Sequence, residues 1–261
     1  MHRTSLRALR TLFLATLLAA AALAWHPARA ADPRAGGPLA MVVTYHAAPS
    51  NRAALRKAME ESEAAQFQRW KDEGLVASVR LLVNRHVDSI TWDAMAILTF
   101  AAYADVQRWN RMERDFPAGL SPRALALTSA IETAPGDLVR EGGKTNPGAT
   151  YLVIPYEVTV ATDEYVAYLD GYVIPQMDGW MEEGVLARYG VFLARYPAGR
   201  PWQSMLILEY KDDAALGARD ATTAKVRARL KDNPKWKAIS DAKKNVRNEK
   251  APVIADAIVA R

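Results

Sequence analysis

The sequence repeats itself at a constant offset of 110 residues. The segment Trp70–Leu75 (WKDEGL) recurs as Trp180–Val185 (WMEEGV), and Trp92 recurs as Trp202 with no gap between the copies. Tryptophan is a scarce residue, so two of them in register indicate a duplicated unit rather than a coincidence. The chain is therefore expected to contain two copies of one domain-sized fold.

Each copy is predicted to follow the order β-α-β-β-α. Apolar runs predict strands at residues 41–46, 75–83 and 94–100, and again at 151–160, 185–193 and 204–210. Helical spacing of bulky residues predicts helices at 50–72 and 102–115, and again after Thr162 and at 212–231. Pro175 lies inside the third of these helices and is expected to kink it by clashing with the carbonyl of Gly171.

This element order is the ferredoxin-like arrangement, in which helices cover one face of an antiparallel sheet. The second strand is apolar on both faces, because Leu82 lies between Leu81 and Val83. Both faces should therefore be buried, and we expect Val79, Leu81 and Val83 to face the other copy. The predicted fold class is α+β, with two tandem repeats packed sheet to sheet as an intramolecular pseudo-dimeric α+β barrel.

The predicted domain boundaries follow from the repeat. They are a signal peptide at residues 1–30, a first repeat at 31–117, a connector at 118–149, a second repeat at 150–240 and a basic C-terminal tail at 241–261. Within the connector, Ser121 and Pro122 are expected to cap a short helix that reaches Glu132. The basic tail fits either a solvated helix face or a contact with an anionic surface.

The first thirty residues have the pattern of a secretory leader. Arg3, Arg7 and Arg10 precede the apolar run Thr11–Trp25, and Ala28–Ala30 supplies the small residues of a cleavage site. Cleavage near Ala30 predicts an exported protein, either periplasmic or secreted. The formal charge of +5 then falls close to neutrality, so no nucleic-acid partner is expected, and no later segment is apolar enough to span a membrane.

Composition excludes several kinds of chemistry. The chain has no cysteine, and beyond the leader its only histidines are His46 and His86. A three-histidine zinc site and a cysteine nucleophile are therefore impossible, and no spacing supports a two-histidine, one-carboxylate metal site. Nucleophile-elbow and glycine-rich phosphate-binding motifs are absent too. We expect no metal and no cofactor, and the sequence does not assign catalytic residues.

A candidate ligand site follows from the strand order. The first and second strands end, and the third begins, at one edge of a ferredoxin-like sheet. That edge is expected to carry His46, Arg85, His86 and Trp92 in the first copy, and Tyr156, Arg195, Tyr196 and Trp202 in the second. Guanidinium, indole and imidazole groups suit an anionic or aromatic ligand, although an ordinary polar rim would look the same.

The element order, the tandem copies and the segment Asn233–Ala238 (NPKWKA) together resemble the dimeric α+β-barrel superfamily, which includes antibiotic-biosynthesis-monooxygenase-like and NIPSNAP-like domains. The resemblance implies a barrel formed by two sheets. It does not imply one function, because the superfamily contains cofactor-free oxygenases, haem enzymes and proteins of no known activity. The second copy lacks a histidine that could bind haem in the manner of the family.

Several functions remain open at this point, among them haem handling and a role in protein interaction or envelope structure. The residues favour an exported, soluble protein that binds a small, partly apolar or aromatic ligand, as a monomeric pseudo-dimer or a homodimer. The alternative, which the resemblance implies, is a cofactor-free oxygenase-like or other small-molecule enzyme. The sequence does not decide whether the protein is an enzyme.

Overall fold

The computed structural model describes residues 39–242 and 245–259. The predicted leader lies outside these residues. No helix among them is long and apolar enough to cross a bilayer.

Within the described residues, the first half of the chain contains four strands and three helices. They are β1 (Ala40–Ala47), α1 (Arg52–Ala58, Met59–Glu63 and Ala64–Asp72 in succession), β2 (Ser78–Asn84), β3 (Ala94–Thr99), α2 (Tyr103–Met112), α3 (Pro122–Leu125) and β4 (Thr128–Gly143). A short 3₁₀ turn, Pro117–Gly119, precedes α3.

The second half repeats this order with additional helices. It contains β5 (Thr150–Val158), α4 (Thr162–Tyr168, Leu169–Val173 and Ile174–Glu182 in succession), β6 (Leu186–Ala194), β7 (Ser204–Tyr210), α5 (Asp213–Gly217), α6 (Arg219–Leu230), α7 (Pro234–Ala242), β8 (Arg247–Glu249) and β9 (Val253–Ile258).

The strands form a closed, antiparallel barrel. In each half the third strand lies between the first and the second, as predicted: β3 between β1 and β2, and β7 between β5 and β6. The barrel is closed by β4, which pairs with β1 and β6, and by β9, which pairs with β2 and β5. Eight strands therefore form the wall, and β8 adds to the edge of β5 beyond β9.

The long strand β4 corrects the expected helix between Ser121 and Glu132. The Ser121 hydroxyl does cap a helix, accepting a hydrogen bond from the Ala124 N–H at 3.3 Å, but α3 ends at Leu125. The chain then pairs with β1 from Thr128 onward. Backbone hydrogen bonds along the open edge of β1 outweigh the weak local preference for helix.

Each sheet is buried on both faces, but the expected assignment of the faces is wrong. Leu81 and Val83 belong to the core between the sheet and its own helices, and Val79 packs against that core. It is Leu82 that points into the barrel, with residues of both halves such as Met95 and Ile207. Side chains alternate along a strand, so an apolar residue at every position leaves the inward set undetermined.

The helices α1 and α4 share a feature that the sequence analysis did not predict. Each contains one π-helical segment, Met59–Glu63 in α1 and Leu169–Val173 in α4, again 110 residues apart. The Ile174 N–H donates to the Leu169 carbonyl, five residues earlier. Pro175 thus enters just after a wide turn, where the clash expected with Gly171 is relieved.

Two arginines bind the strands that close the barrel. Arg85 follows β2, and its guanidinium contacts Asp256 of β9 at 2.7 Å. Arg195 follows β6, and its guanidinium contacts Asp137 of β4 at 3.0 Å. The backbone N–H of Arg85 also donates to Ile254. The two pairs occupy corresponding places, each where a half donates its last strand to the other sheet.

We expect Asp137→Ala to destabilise the fold by about 3 kcal/mol, because a largely buried guanidinium loses its carboxylate partner. The midpoint of urea unfolding should fall accordingly. Glu60→Ala is the matched control, since it removes an exposed carboxylate from Arg56 and should cost about 0.5 kcal/mol or less. Equal losses in the two variants would show that the Arg195–Asp137 pair does not hold the barrel closed.

Candidate functional site

The predicted site residues lie at strand termini that belong to one end of the barrel, although the Arg85 side chain reaches Thr150 at the start of β5. Because neighbouring strands are antiparallel around the whole wall, β1, β2, β5 and β6 all end at this end, which we call the mouth. The strands β3, β4, β7 and β9 begin there. The edges predicted separately for the two copies therefore meet at a single opening.

A cavity of about 300 Å³ lies at the mouth, and both halves line it. Its lining includes Thr44, His46, Ile90, Trp92, Glu132, Pro155, Trp202, Met205, Lys250 and Val253. Three of the eight predicted residues, His46, Trp92 and Trp202, are thus brought together. Trp92 and Trp202 also belong to the apolar core inside the barrel, so the cavity is the upper end of that interior.

The two tryptophans are held in place by polar contacts just beside them. Asp93 accepts a hydrogen bond from the Ala47 N–H at 2.8 Å and forms an ion pair with Arg52. At the corresponding place in the second half, Gln203 accepts a hydrogen bond from the Val158 N–H at 2.7 Å. Each contact ties the residue just before the third strand to the last residue of the first strand, and so fixes the adjacent indole.

The polar groups of the cavity come mainly from the first half and from β4. Thr44 is buried, and among the residues that the structure describes its hydroxyl has no hydrogen-bond partner. Glu132 is directly opposite Thr44 in the pairing of β1 with β4, which places their Cβ atoms about 5 Å apart on one face. His46 is two residues beyond Thr44 on the same face. The cavity therefore combines an unpaired hydroxyl with an imidazole and a carboxylate.

The two predicted arginines do not line this cavity. Arg85 is held by Asp256, and it also donates to Asp213 at 2.6 Å and to Thr150 at 3.1 Å. Hydrogen bonds from Thr150 and Arg85 hold the pKa of Asp213 below its ordinary value. Arg195 is engaged with Asp137. Their contacts connect strands of the barrel wall.

His86 and Tyr196 are exposed at the mouth and do not line the cavity. The His86 carbonyl accepts a hydrogen bond from Arg52 at 2.6 Å, which anchors the loop that follows β2. Two large apolar side chains of this loop are exposed, Val87 by 71% and Ile90 by 81%. Ile90 lines the cavity directly, so the loop gives it an apolar rim.

Tyr156 lies on the opposite face of its strand, against the helices of the second half. The Arg247 guanidinium stacks 3.7 Å above its ring. Burial raises the pKa of Tyr156, and the positive charge of Arg247 opposes this effect only in part. The phenol therefore stays protonated, outside the cavity.

The misplacement of Tyr156 has a simple origin. Thr44 pairs with Met95 in the first half, and Pro155 pairs with Met205 in the second. The first strands therefore correspond at an offset of 111 rather than 110, so His46 matches Glu157 and Tyr45 matches Tyr156. A shift of one residue moves a side chain to the other face of a strand.

Sequence analysis missed Thr44, Glu132, Pro155 and Lys250. Glu132 and Lys250 lie in segments expected to be a connector and a tail, and only the pairing of β4 and the approach to β9 bring them to the mouth. Lys250 forms an ion pair with Glu157 at 3.2 Å. The segment Thr128–Thr133 (TSAIET) does not alternate in polarity, so no local pattern marked it as a strand.

The described residues fit neither a metal ion nor a haem. Among the described residues, no group of three histidine, aspartate or glutamate side chains is arranged to hold a metal ion. In the second half, Tyr168, Tyr172 and Trp236 stack at ring-centroid distances of 5.3 and 5.0 Å and fill the layer between sheet and helices with Arg247. This filled layer, without a histidine, does not fit a haem.

Comparisons with known proteins identify the fold. No family model and no curated protein matches the chain. A provisionally assigned monooxygenase from Lactobacillus acidophilus is similar in structure over 85% of this chain and 95% of its own, with 12% identity and a TM-score of 0.53. One from Fusobacterium nucleatum covers 86% and 94%, with 13% identity and a TM-score of 0.55. An anthrone oxidase-like protein covers 84% and 90%, with 13% identity and a TM-score of 0.50.

These similarities define the class of fold. The described residues form a closed antiparallel barrel with outer helices, and this α+β fold is what the chain shares with these proteins. At such low identity the likeness extends to the fold alone, so function has to be argued from the cavity.

Proposed function

We propose that the protein binds a small aromatic compound in the mouth cavity and oxidises it with O₂ without a cofactor. The observation that carries this proposal is the meeting of Trp92, Trp202 and His46 in one cavity of about 300 Å³. Indole rings stack on aromatic ligands, and an imidazole can move a proton near neutral pH. The oxygenase alternative is thus preferred to simple ligand binding.

The residues of the cavity have separate parts in this scheme. Trp92, Trp202 and Met205 form the apolar surface that holds the ring system. The Thr44 hydroxyl, which has no partner among the described residues, donates to a ligand oxygen. His46 accepts the proton from the substrate, and the Glu132 carboxylate stabilises the imidazolium that forms.

The chemistry balances without an external reductant. Removal of a proton from an activated CH₂ group between aromatic rings gives an electron-rich carbanion that can reduce O₂. Oxidation of CH₂ to C=O releases four electrons, which reduce O₂ to the new carbonyl oxygen and one water molecule. The overall description of two structural neighbours as monooxygenases and of a third as anthrone oxidase-like supports this class of reaction.

His46→Ala should lower the rate of anthrone oxidation by about a hundredfold, the usual contribution of a positioned general base. The rate is measured as O₂ uptake and anthraquinone formation, with the protein-free rate subtracted. His86→Ala is the matched control: it removes the other histidine, which lies outside the cavity, and should leave the rate unchanged.

A binding measurement separates recognition from catalysis in the same experiment. Quenching of tryptophan fluorescence by anthraquinone should persist in His46→Ala and weaken in Trp202→Phe. A wild-type rate no higher than the protein-free rate would rule out the oxygenase proposal with this substrate. Equal effects of the two histidine variants would place the reaction outside the cavity.

We also propose that the barrel is an internal pseudo-dimer that arose by duplication. The repeated element order, the tryptophans and the π-helical segments at one offset support it. Residues 31–147 expressed alone expose the edges of β2 and β4, so this half should form a homodimer or aggregate, as measured by light scattering after gel filtration. A stable monomer would contradict this origin.

Export of the protein is the third proposal, and the pattern of residues 1–30 supports it. The intact mass of the protein, purified from the periplasm or the culture medium, should correspond to a chain that begins at Ala31. Retention of the full-length mass in the cytoplasmic fraction would contradict export.

A further inference from the structure

The end of the barrel opposite the mouth contains a second cavity. It has a volume of about 460 Å³, and we call it the basal cavity. Tyr151 and Ile97, which belong to the barrel core, form its inner wall. It opens beside α1, because β9 pairs with β2 only from Leu81 to Asn84 and leaves the start of β2 uncovered.

Three cationic side chains line the basal cavity: Lys71, Arg80 and Arg188. Two carboxylates lie near them. Arg188 contacts Glu141 at 2.7 Å, and Arg80 is 3.7 Å from the buried carboxylate of Glu209. Lys71 forms no ion pair within the part of the chain that the structure describes. These three positive and two negative charges sum to +1, so one further negative charge would neutralise the lining.

Arg80 has hydrogen-bonding capacity that its neighbours do not use. Its side chain is only 19% exposed, yet within the described residues its sole hydrogen bond is a long one, 3.5 Å to the Thr145 hydroxyl. A guanidinium has five N–H donors, and unmet donors in a largely buried group are costly. The Arg80 guanidinium also lies 5.6 Å from the centre of the Tyr151 ring, which limits where an acceptor can bind.

The remainder of the lining combines the polar side chains of Gln68, Ser78 and Thr145 with an apolar part. Leu81, Ile97, Ile258 and Val259 border the cavity, and Val259 is 74% exposed. A ligand that fits this lining has a hydrocarbon part in addition to its negative charge.

We propose that the basal cavity binds an amphipathic monocarboxylate. Its carboxylate accepts hydrogen bonds from Arg80, with Lys71 and Arg188 completing the positive field, and its hydrocarbon chain lies against Ile97 and Ile258. A single negative charge matches the charge balance of the lining. This site is independent of the mouth cavity and of the proposed oxygenase activity.

Octanoate is the probe, with 1-octanol and acetate as controls for the chain and the head group alone. Isothermal titration of the mature chain should show octanoate binding at least tenfold more tightly than 1-octanol, with no detectable binding of acetate. Binding of 1-octanol as tight as that of octanoate would overturn the proposal, because the cations would then contribute nothing.

The double variant Arg80→Gln/Glu209→Gln removes the guanidinium without leaving a buried carboxylate unpaired, and it should weaken octanoate binding at least tenfold. Trp202→Phe at the mouth and Arg56→Gln on the exposed face of α1 should leave the affinity unchanged. An unchanged affinity in the double variant, or a loss in Trp202→Phe alone, would overturn the proposal.

If the double variant does not fold, as judged by circular dichroism, octanoate binding is measured in the variant Lys71→Gln/Arg188→Gln instead. Lys71 is exposed and Glu141, the partner of Arg188, is half exposed, so the fold should tolerate the change. Weaker binding of octanoate supports the basal site, and unchanged binding overturns it.

Discussion

Closure of the barrel is the constraint on which the rest of the structure depends. A four-stranded sheet in either half alone would present two edges with unpaired backbone groups, a template for aggregation. Here β4 leaves the first half to pair with β6, and β9 leaves the second half to pair with β2. The backbone groups of both edges are therefore paired within one chain. The same two strands place Glu132 at the mouth, and they place Asp137 and Asp256 beside Arg195 and Arg85.

Much of the fold could be predicted because it is local. The β-α-β-β-α order and the position of the third strand follow from local patterns and from the ferredoxin-like arrangement that these indicate, and the structure has both. The faces of β2 could not be predicted, since Leu81, Leu82 and Val83 are equally apolar. Closure by β4 and β9 depends on pairing between distant segments, and neither strand has a pattern strong enough to distinguish it from a connector or a tail.

The site shows the same division between local and distant information. Trp92 and Trp202 keep the offset of the repeat, and His46 lies on the inward face, so their meeting follows from the strand order. Tyr156 was misassigned through a single residue of register. The arginines were correctly placed near the ends of their strands, but their acidic partners come from the two closing strands, whose positions depend on long-range pairing.

The two halves of the barrel carry unlike side chains at corresponding places, and this difference makes both cavities asymmetric. At the mouth, Thr44 of the first half corresponds to Pro155 of the second. At the base, Arg80 pairs with Ile97 in the first half, and Gly190 pairs with Ile207 at the corresponding place in the second half. The second half therefore has glycine where the first half has the guanidinium. The Thr44 hydroxyl and the Arg80 guanidinium therefore come from the first half, at places where the second half has proline and glycine. The two halves thus keep the same strand pairing while their inward side chains differ in chemistry.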